Sequence, residues 1–297
     1  MKEVKKFPGT IPPTVTVFDS DGEIDREKTK KFLRYIISEG VHGIFVAGST
    51  GECSLMTLEQ RREIIDIGVE AAEGKVPVFA GTGHNSTRIT VELTKYAEDA
   101  GADVAVVSLP HYPRPLEEGL YQHYKAAAES VNIPIFVYSW RGQYGYSMEP
   151  ETVARLAEDG YIVGIKDAHE DIDHTAEIIR LTKGKITVLE GYETKILPAL
   201  CLGADGSMCT SGNLIPAEIV GIYSLFKNGK IEQAREKQLA ILPLINLLST
   251  RHDYQLLKES IRLLGHDVGD ALMPTSKVCP DIMEKIKAEL RKLGKLK

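Results

Sequence analysis

The chain has 297 residues, 43% hydrophobic and 26% charged, which excludes a disordered polypeptide and leaves either one α/β barrel of ~250 residues or two ordinary domains. With 42 acidic residues against 36 basic ones the formal charge is −6, which excludes a broad, sequence-independent grip on nucleic acid. No apolar run reaches the ~18 residues of a membrane span, Met1–Lys6 is charged and followed by prolines instead of an apolar h-region, and Cys53, Cys201, Cys209 and Cys279 form no C-x-x-C pair. The expectation is a protein of a reducing cytoplasm, with no partner among membranes or nucleic acids.

Short apolar runs rich in β-branched residues alternate with longer stretches of helical period. In chain order the strand candidates are 14–17, 44–47, 76–80, 104–108, 134–138, 162–166, 186–190 and 206–209. Between them, 57–73 reads as an amphipathic helix: Leu58, Ile64, Ile65, Ile67, Gly68 and Ala71 share a face, and Glu59, Arg61, Arg62 and Glu63 lie largely outside. The segment 86–100 opens on Ser86 as its N-cap and repeats the pattern. Four times a helical stretch ends in a glycine turn that leads into a strand, at 39–43, 100–103, 158–160 and 203–206. A nucleotide-binding doubly wound sheet carries G-x-G-x-x-G after its first strand, whereas here Phe18-Asp19-Ser20-Asp21-Gly22 follows. The prediction is therefore a (β/α)8 TIM barrel over 1–228, with a helical extension over 229–297 formed by helices at 231–249, 254–264 and 281–293.

Active sites of such barrels are built at the C-terminal ends of the strands. After the second strand, Gly48-Ser49-Thr50-Gly51-Glu52 offers hydroxyls and free N–H groups to an anion. The fourth strand leads into the stiff loop Pro110-His111-Tyr112-Pro113-Arg114-Pro115, suited to an interface or a rim. Tyr138 ends the fifth strand, and Lys166 ends the sixth, after the apolar run 161–165. Burial disfavours the ammonium and makes a neutral, nucleophilic amine, beside which a tyrosine can shuttle a proton. The eight histidines show no metal-binding spacing, and His169 and His174 read as a solvated helix start.

These segments, with Gly164-Ile165-Lys166-Asp167 and Gly203-Ala204-Asp205-Gly206, resemble the dihydrodipicolinate synthase / N-acetylneuraminate lyase superfamily in order and spacing over residues 8–266. The resemblance implies a barrel enzyme, usually a homotetramer, that forms a Schiff base with pyruvate or another 2-oxo acid and uses no cofactor or metal. Lys166 matches the Schiff-base lysine, Tyr138 the proton shuttle, Ser49 and Thr50 the hydroxyl pair holding the pyruvate carboxylate, and Tyr112 a tyrosine contributed across a subunit interface. Met208 matches a position whose backbone carbonyl lines the pocket.

Many dihydrodipicolinate synthases read Y-N-x-P-x-R-T-G where this chain has Tyr138-Ser139-Trp140-Arg141-Gly142-Gln143-Tyr144-Gly145, so Gln143 stands at the arginine that clamps a second carboxylate. Asp167, Val188–Tyr192 and Ser211-Gly212-Asn213 resemble 2-keto-3-deoxygluconate aldolases, and Ser139, Gln143 and Tyr144 suit substrate hydroxyls. The expected activity is thus class I cleavage of a 2-keto-3-deoxy sugar acid to pyruvate and an aldehyde, with Tyr138 and Ser49 moving the proton. The alternatives are dihydrodipicolinate synthase, N-acetylneuraminate lyase, a keto-deoxy acid dehydratase, or a non-enzymatic 2-oxo acid sensor. Arg114 or Arg141 would meet a phosphate or a second carboxylate.

Overall fold

A computed structural model describes residues 5–249 and 254–297. Strands β1 (Gly9–Thr10), β2 (Ile44–Val46), β3 (Val78–Gly81), β4 (Val104–Ser108), β5 (Ile135–Trp140), β6 (Gly164–Ala168), β7 (Thr187–Glu190) and β8 (Gly206–Ser207) are all parallel. From β2 to β8 each strand pairs with its sequence neighbour, and β1 pairs with β8. The ring closes between β1 and β2 through backbone bonds, Phe45 N–H to the Pro12 carbonyl at 3.0 Å and Thr14 N–H to the Phe45 carbonyl at 2.8 Å. The result is the (β/α)8 barrel expected from the alternating pattern.

Helices α1 (Arg26–Ser38), α2 (Leu58–Ala72), α3 (Thr87–Asp99), α4 (Glu117–Ala128), the single turn α5 (Arg141–Tyr144), α6 (Pro150–Glu158), α7 (Ile172–Thr182), α8 (Ile196–Leu202) and α9 (Pro216–Lys227) fall between and after the strands. Then come α10 (Ile231–Ser249), α11 (Tyr254–Leu263) and α12 (Pro280–Lys292). Helix α2 starts on a full capping box, Thr57 with Gln60. Ser86 stands at the N-cap of α3 as expected, but its side chain makes no cap bond.

Two local expectations fail for identifiable reasons. The first strand is Gly9–Thr10, not 14–17, because Pro12 and Pro13 lack the N–H groups that a ladder uses. Val15 and Val17 are still buried, tied by side chains: the Val15 N–H donates to Asn213 Oδ1 and the Val17 N–H to Thr29 Oγ1. Arg61 is not on the solvent face of α2. It is buried and donates to the carbonyls of Gly81 and Gly83, at 2.8 and 3.0 Å, bracing the end of β3.

Alternation along the strands divides the core. Phe7, Ile11, Phe45, Phe79, Phe136 and Leu189 fill the barrel, with Phe7, Phe79 and Phe136 meeting edge to face at 5.3–5.9 Å. Gly164 is required there, since a Cβ would come within 2.2 Å of the Phe136 ring. Helices α10–α12 do not stand apart: Ile241, Leu244, Leu256, Ile261 and Ile286 share one apolar cluster with Leu33, Ile64 and Ile219 of the barrel helices. Gln238 of α10 is also a polar tie, donating to the Glu193 carbonyl at 2.8 Å and accepting the Leu197 N–H at 3.1 Å. Among the described residues no helix is long and apolar enough to cross a membrane.

Candidate active site

Strand period decides which side chains reach the barrel mouth. On β6, Ile165 packs outward, so Lys166 points inward and Asp167 outward. On β5, Val137 packs outward and Tyr138 inward, and Tyr138 is the register partner of Lys166. The two therefore meet above the aromatic floor, with the Lys166 ammonium 4.1 Å from the Tyr138 ring centre and 5.8 Å from that of Phe45. Lys166 is 4% exposed, and among the described residues no carboxylate forms an ion pair with it. Burial lowers its pKa to about 8, only partly opposed by Cys209 and Glu193. Burial drives the Tyr138 phenol up, reinforced by Tyr144, while the Ser49 hydroxyl beside it pulls the other way.

An open cleft of about 840 Å³, its mouth included, rises from this pair. Its walls are Ser49 and Thr50 after β2, Trp140 at the end of β5 and Gln143 after it, Gly191–Glu193 after β7, and Thr210 and Ser211 after β8. The Ser49–Gly51 segment is a 3₁₀ turn whose Thr50 hydroxyl lies 3.0 Å from that of Thr210, so two chain segments bring hydroxyls to one place. The last wall comes from the extension: Ile245, Leu248 and Ser249 of α10, and Tyr254 and Leu257 of α11. Sequence reading missed these because an apolar helical pattern looks the same whether it packs on a core or walls a cleft.

The anticipated residues divide. Lys166, Tyr138, Ser49, Thr50 and Gln143 line one cleft. Tyr112 does not: it is 80% exposed on the loop after β4, outside the cleft of its own chain. Met208 is fully buried inside the barrel and is not among the lining residues. Ser139 faces outward and accepts the Met148 N–H, so it cannot meet a substrate. Tyr144 is not a lining residue, but its phenol hydrogen-bonds the hydroxyls of Ser49 and Ser108, and its ring lies edge to face with Tyr138 at 5.9 Å and stacked on His111. Arg141 is exposed and 3.2 Å from His169 Nε2, while Arg114 lies over the Tyr146 ring, so neither lines the cleft. Among the described residues Lys166 is the one cation and Glu193 the one anion on its walls.

His169 and His174 are not a solvated helix start. They stack at 4.3 Å, and His174 Nδ1 is 3.1 Å from the buried Asp167 carboxylate, which also accepts the Thr175 hydroxyl at 2.7 Å. Burial opposes the His174 cation, but Asp167 outweighs it and raises the pKa. This network anchors β6 to α7 directly behind Lys166. Beside it, Glu190 on β7 is the register partner of Asp167, and burial raises its carboxyl to about 8. Among the described residues no cluster of three or more His, Cys, Asp or Glu side chains could hold a metal ion.

The model of the dihydrodipicolinate synthetase family matches residues 6–293. Relatives named 4-hydroxy-tetrahydrodipicolinate synthase include those of Methanopyrus kandleri, 37% identical with 97% of each chain covered, and Archaeoglobus fulgidus, 37% identical over 97% of this chain and 98% of that one. Among solved structures, the dihydrodipicolinate synthase of Thermotoga maritima superposes with a TM-score of 0.94 at 33% identity, covering 98% of this chain and 100% of that one. A prophage protein of the dihydrodipicolinic acid synthase family from E. coli K12, in complex with pyruvate, gives 0.93 at 32% identity, covering 97% and 99%. These full-length relatives overturn the expected 2-keto-3-deoxygluconate aldolase and favour the synthase alternative. The sugar-acid reading leaned on Ser139, Gln143 and Tyr144 as hydroxyl partners: Gln143 lines the cleft, Ser139 is turned away from it, and the Tyr144 phenol meets the Ser49 hydroxyl.

Proposed function

The chain belongs to the dihydrodipicolinate synthetase family of carbon–carbon lyases, and on that premise we propose that it condenses pyruvate with aspartate semialdehyde, as a 4-hydroxy-tetrahydrodipicolinate synthase. One observation carries the chemistry: a lysine buried at a barrel strand end, with no ion-pair partner among the described residues and its pKa lowered to about 8, beside a buried tyrosine and a pair of hydroxyls. The unprotonated Lys166 amine attacks C2 of pyruvate, and loss of water with uptake of one proton from solvent leaves a protonated imine. Ser49, Thr50 and the neighbouring Thr210 hydroxyl hold the carboxylate. The cationic imine draws electrons from C3, whose proton passes to water to form an enamine, and enamine C3 then bonds to the aldehyde carbon. Tyr138, with Ser49 beside it, supplies the proton that the new alkoxide takes up. An amine or water then resolves the imine and frees Lys166.

In this reading the amide of Gln143 stands where an arginine clamp for the second carboxylate would be, so the aldehyde is held by neutral donors. The assembly we propose is the homotetramer usual in this superfamily, with Tyr112 working across an interface; its 80% exposure beside the 85% exposed Leu116 supports that placement. The test is condensation with purified protein: pyruvate and aspartate semialdehyde should be consumed together, one for one. Consumption of neither, while both bind, contradicts the proposal.

A further inference from the structure

The helical extension supplies a wall of the cleft, and it is joined to the barrel by a second buried lysine. Lys258 lies on α11, one residue after the cleft-lining Leu257, and is fully buried. Its Nζ is 2.7 Å from Glu52 Oε1, with both side chains wholly inaccessible to solvent, and it also donates to the Asp270 carbonyl at 3.0 Å. The other Glu52 oxygen accepts the Leu272 N–H at 2.7 Å. Two points of the extension, both some two hundred residues from Glu52, thus meet on its carboxylate.

Glu52 directly follows the turn that carries Ser49 and Thr50. Its N–H donates to the Ser49 carbonyl at 2.9 Å, and its backbone is left-handed, with φ at +65°. A side-chain-bearing residue is held in that region only when its surroundings over-determine it. Here the surroundings are the turn on one side and the Lys258–Leu272 contacts on the other. Apolar residues of similar volume fill a buried site at least as stably as an ion pair does, so stability alone does not account for charges here. An ion pair with two further hydrogen bonds does fix direction, and the direction it fixes is that of the turn bearing the cleft hydroxyls.

We propose that Glu52 and Lys258 are positioning residues that lock the Ser49–Thr50 turn to the helical extension, so that the cleft hydroxyls stand at a set distance from Lys166. The inference rests on the reading of that turn as the carboxylate cradle for pyruvate. In it the extension holds the first substrate's site in place as well as walling the cleft.

Two variants test it, with pyruvate KM, kcat and reductive trapping of pyruvate as readouts. Glu52→Gln keeps the volume and an acceptor for the Leu272 N–H but loses the charge. The double variant Glu52→Leu/Lys258→Met replaces the pair by apolar groups and leaves no orphaned charge. In both, pyruvate KM should rise about tenfold, while kcat at saturating pyruvate falls less and Lys166 is still modified at high pyruvate. The double variant should regain the wild-type Tm without regaining the wild-type KM, a split that a purely structural role does not produce. Wild-type pyruvate KM in either folded variant overturns the positioning role. A wild-type protein in which pyruvate leaves no adduct on Lys166 overturns the cradle reading itself, whatever the variants do.

Discussion

Lys166 and Lys258 are both almost wholly removed from water, yet their surroundings differ in one respect. Lys258 faces a carboxylate at 2.7 Å, whereas Lys166 faces aromatic rings and hydroxyls. Burial lowers the pKa of both; at Lys258 the Glu52 charge and hydrogen bond push back, and at Lys166 only weaker, more distant influences do. Burial makes a lysine reactive when the fold withholds a counter-charge, and makes it a fastener when the fold supplies one. The same sheet keeps the acids away from Lys166: β6 turns Asp167 to the outside, where His174 and Thr175 take it.

The sharpest way to break this comparison is to remove each amine in turn. Lys166→Met should abolish condensation and yet stabilise the fold near neutral pH, because it deletes an uncompensated buried cation. The pH dependence follows from the direction of the shift. With a folded pKa of about 8 and an unfolded one near ~10.4, the unfolded chain binds more protons between those values, so this group adds stability as pH rises from about 8 to ~10.4. The gain in Tm of Lys166→Met over wild type, measured calorimetrically, should therefore shrink across that window. A variant less stable than wild type at pH 7 contradicts the account.

Tyr138→Phe should lower kcat by ~10²–10⁴ while borohydride still traps pyruvate on Lys166, which separates proton transfer from imine formation. Lys258→Met strands the Glu52 carboxylate and should cost about 3–5 kcal/mol in denaturant unfolding, the opposite sign to Lys166→Met. The smallest expected effect concerns the neutral far wall. Gln143→Arg adds a carboxylate clamp and should lower the KM for aspartate semialdehyde by about tenfold, with pyruvate KM unchanged.

Much of this was legible from pattern, and what was not has physical causes. Runs of β-branched residues locate seven strands to within a few residues, and their ends place Tyr138 and Lys166 side by side. Strand alternation puts Ser139 and Asp167 outside, a consequence available as soon as Tyr138 and Lys166 are taken as inward. The first strand escaped because two prolines move the ladder upstream of the most apolar stretch. Arg61 and Lys258 escaped for a common reason: a charged residue in an amphipathic helix reads as solvent-facing, and only the fold reveals the carbonyls or carboxylate that receive it. The Tyr254 and Leu257 wall lies some ninety residues beyond Lys166, and no local signal marks it as part of a cleft. Substrate choice was the least legible, since it turned on side chains whose facing had to be seen.

The central claim is that Lys166, and not Lys258 or a surface lysine, is the amine that meets pyruvate. Borohydride reduction of the protein in the presence of pyruvate, followed by peptide mass mapping, tests it directly. The account predicts one reduced pyruvyl group, located on Lys166 and absent from Lys166→Met. An unmodified Lys166 at saturating pyruvate, or the adduct on another lysine, would contradict it.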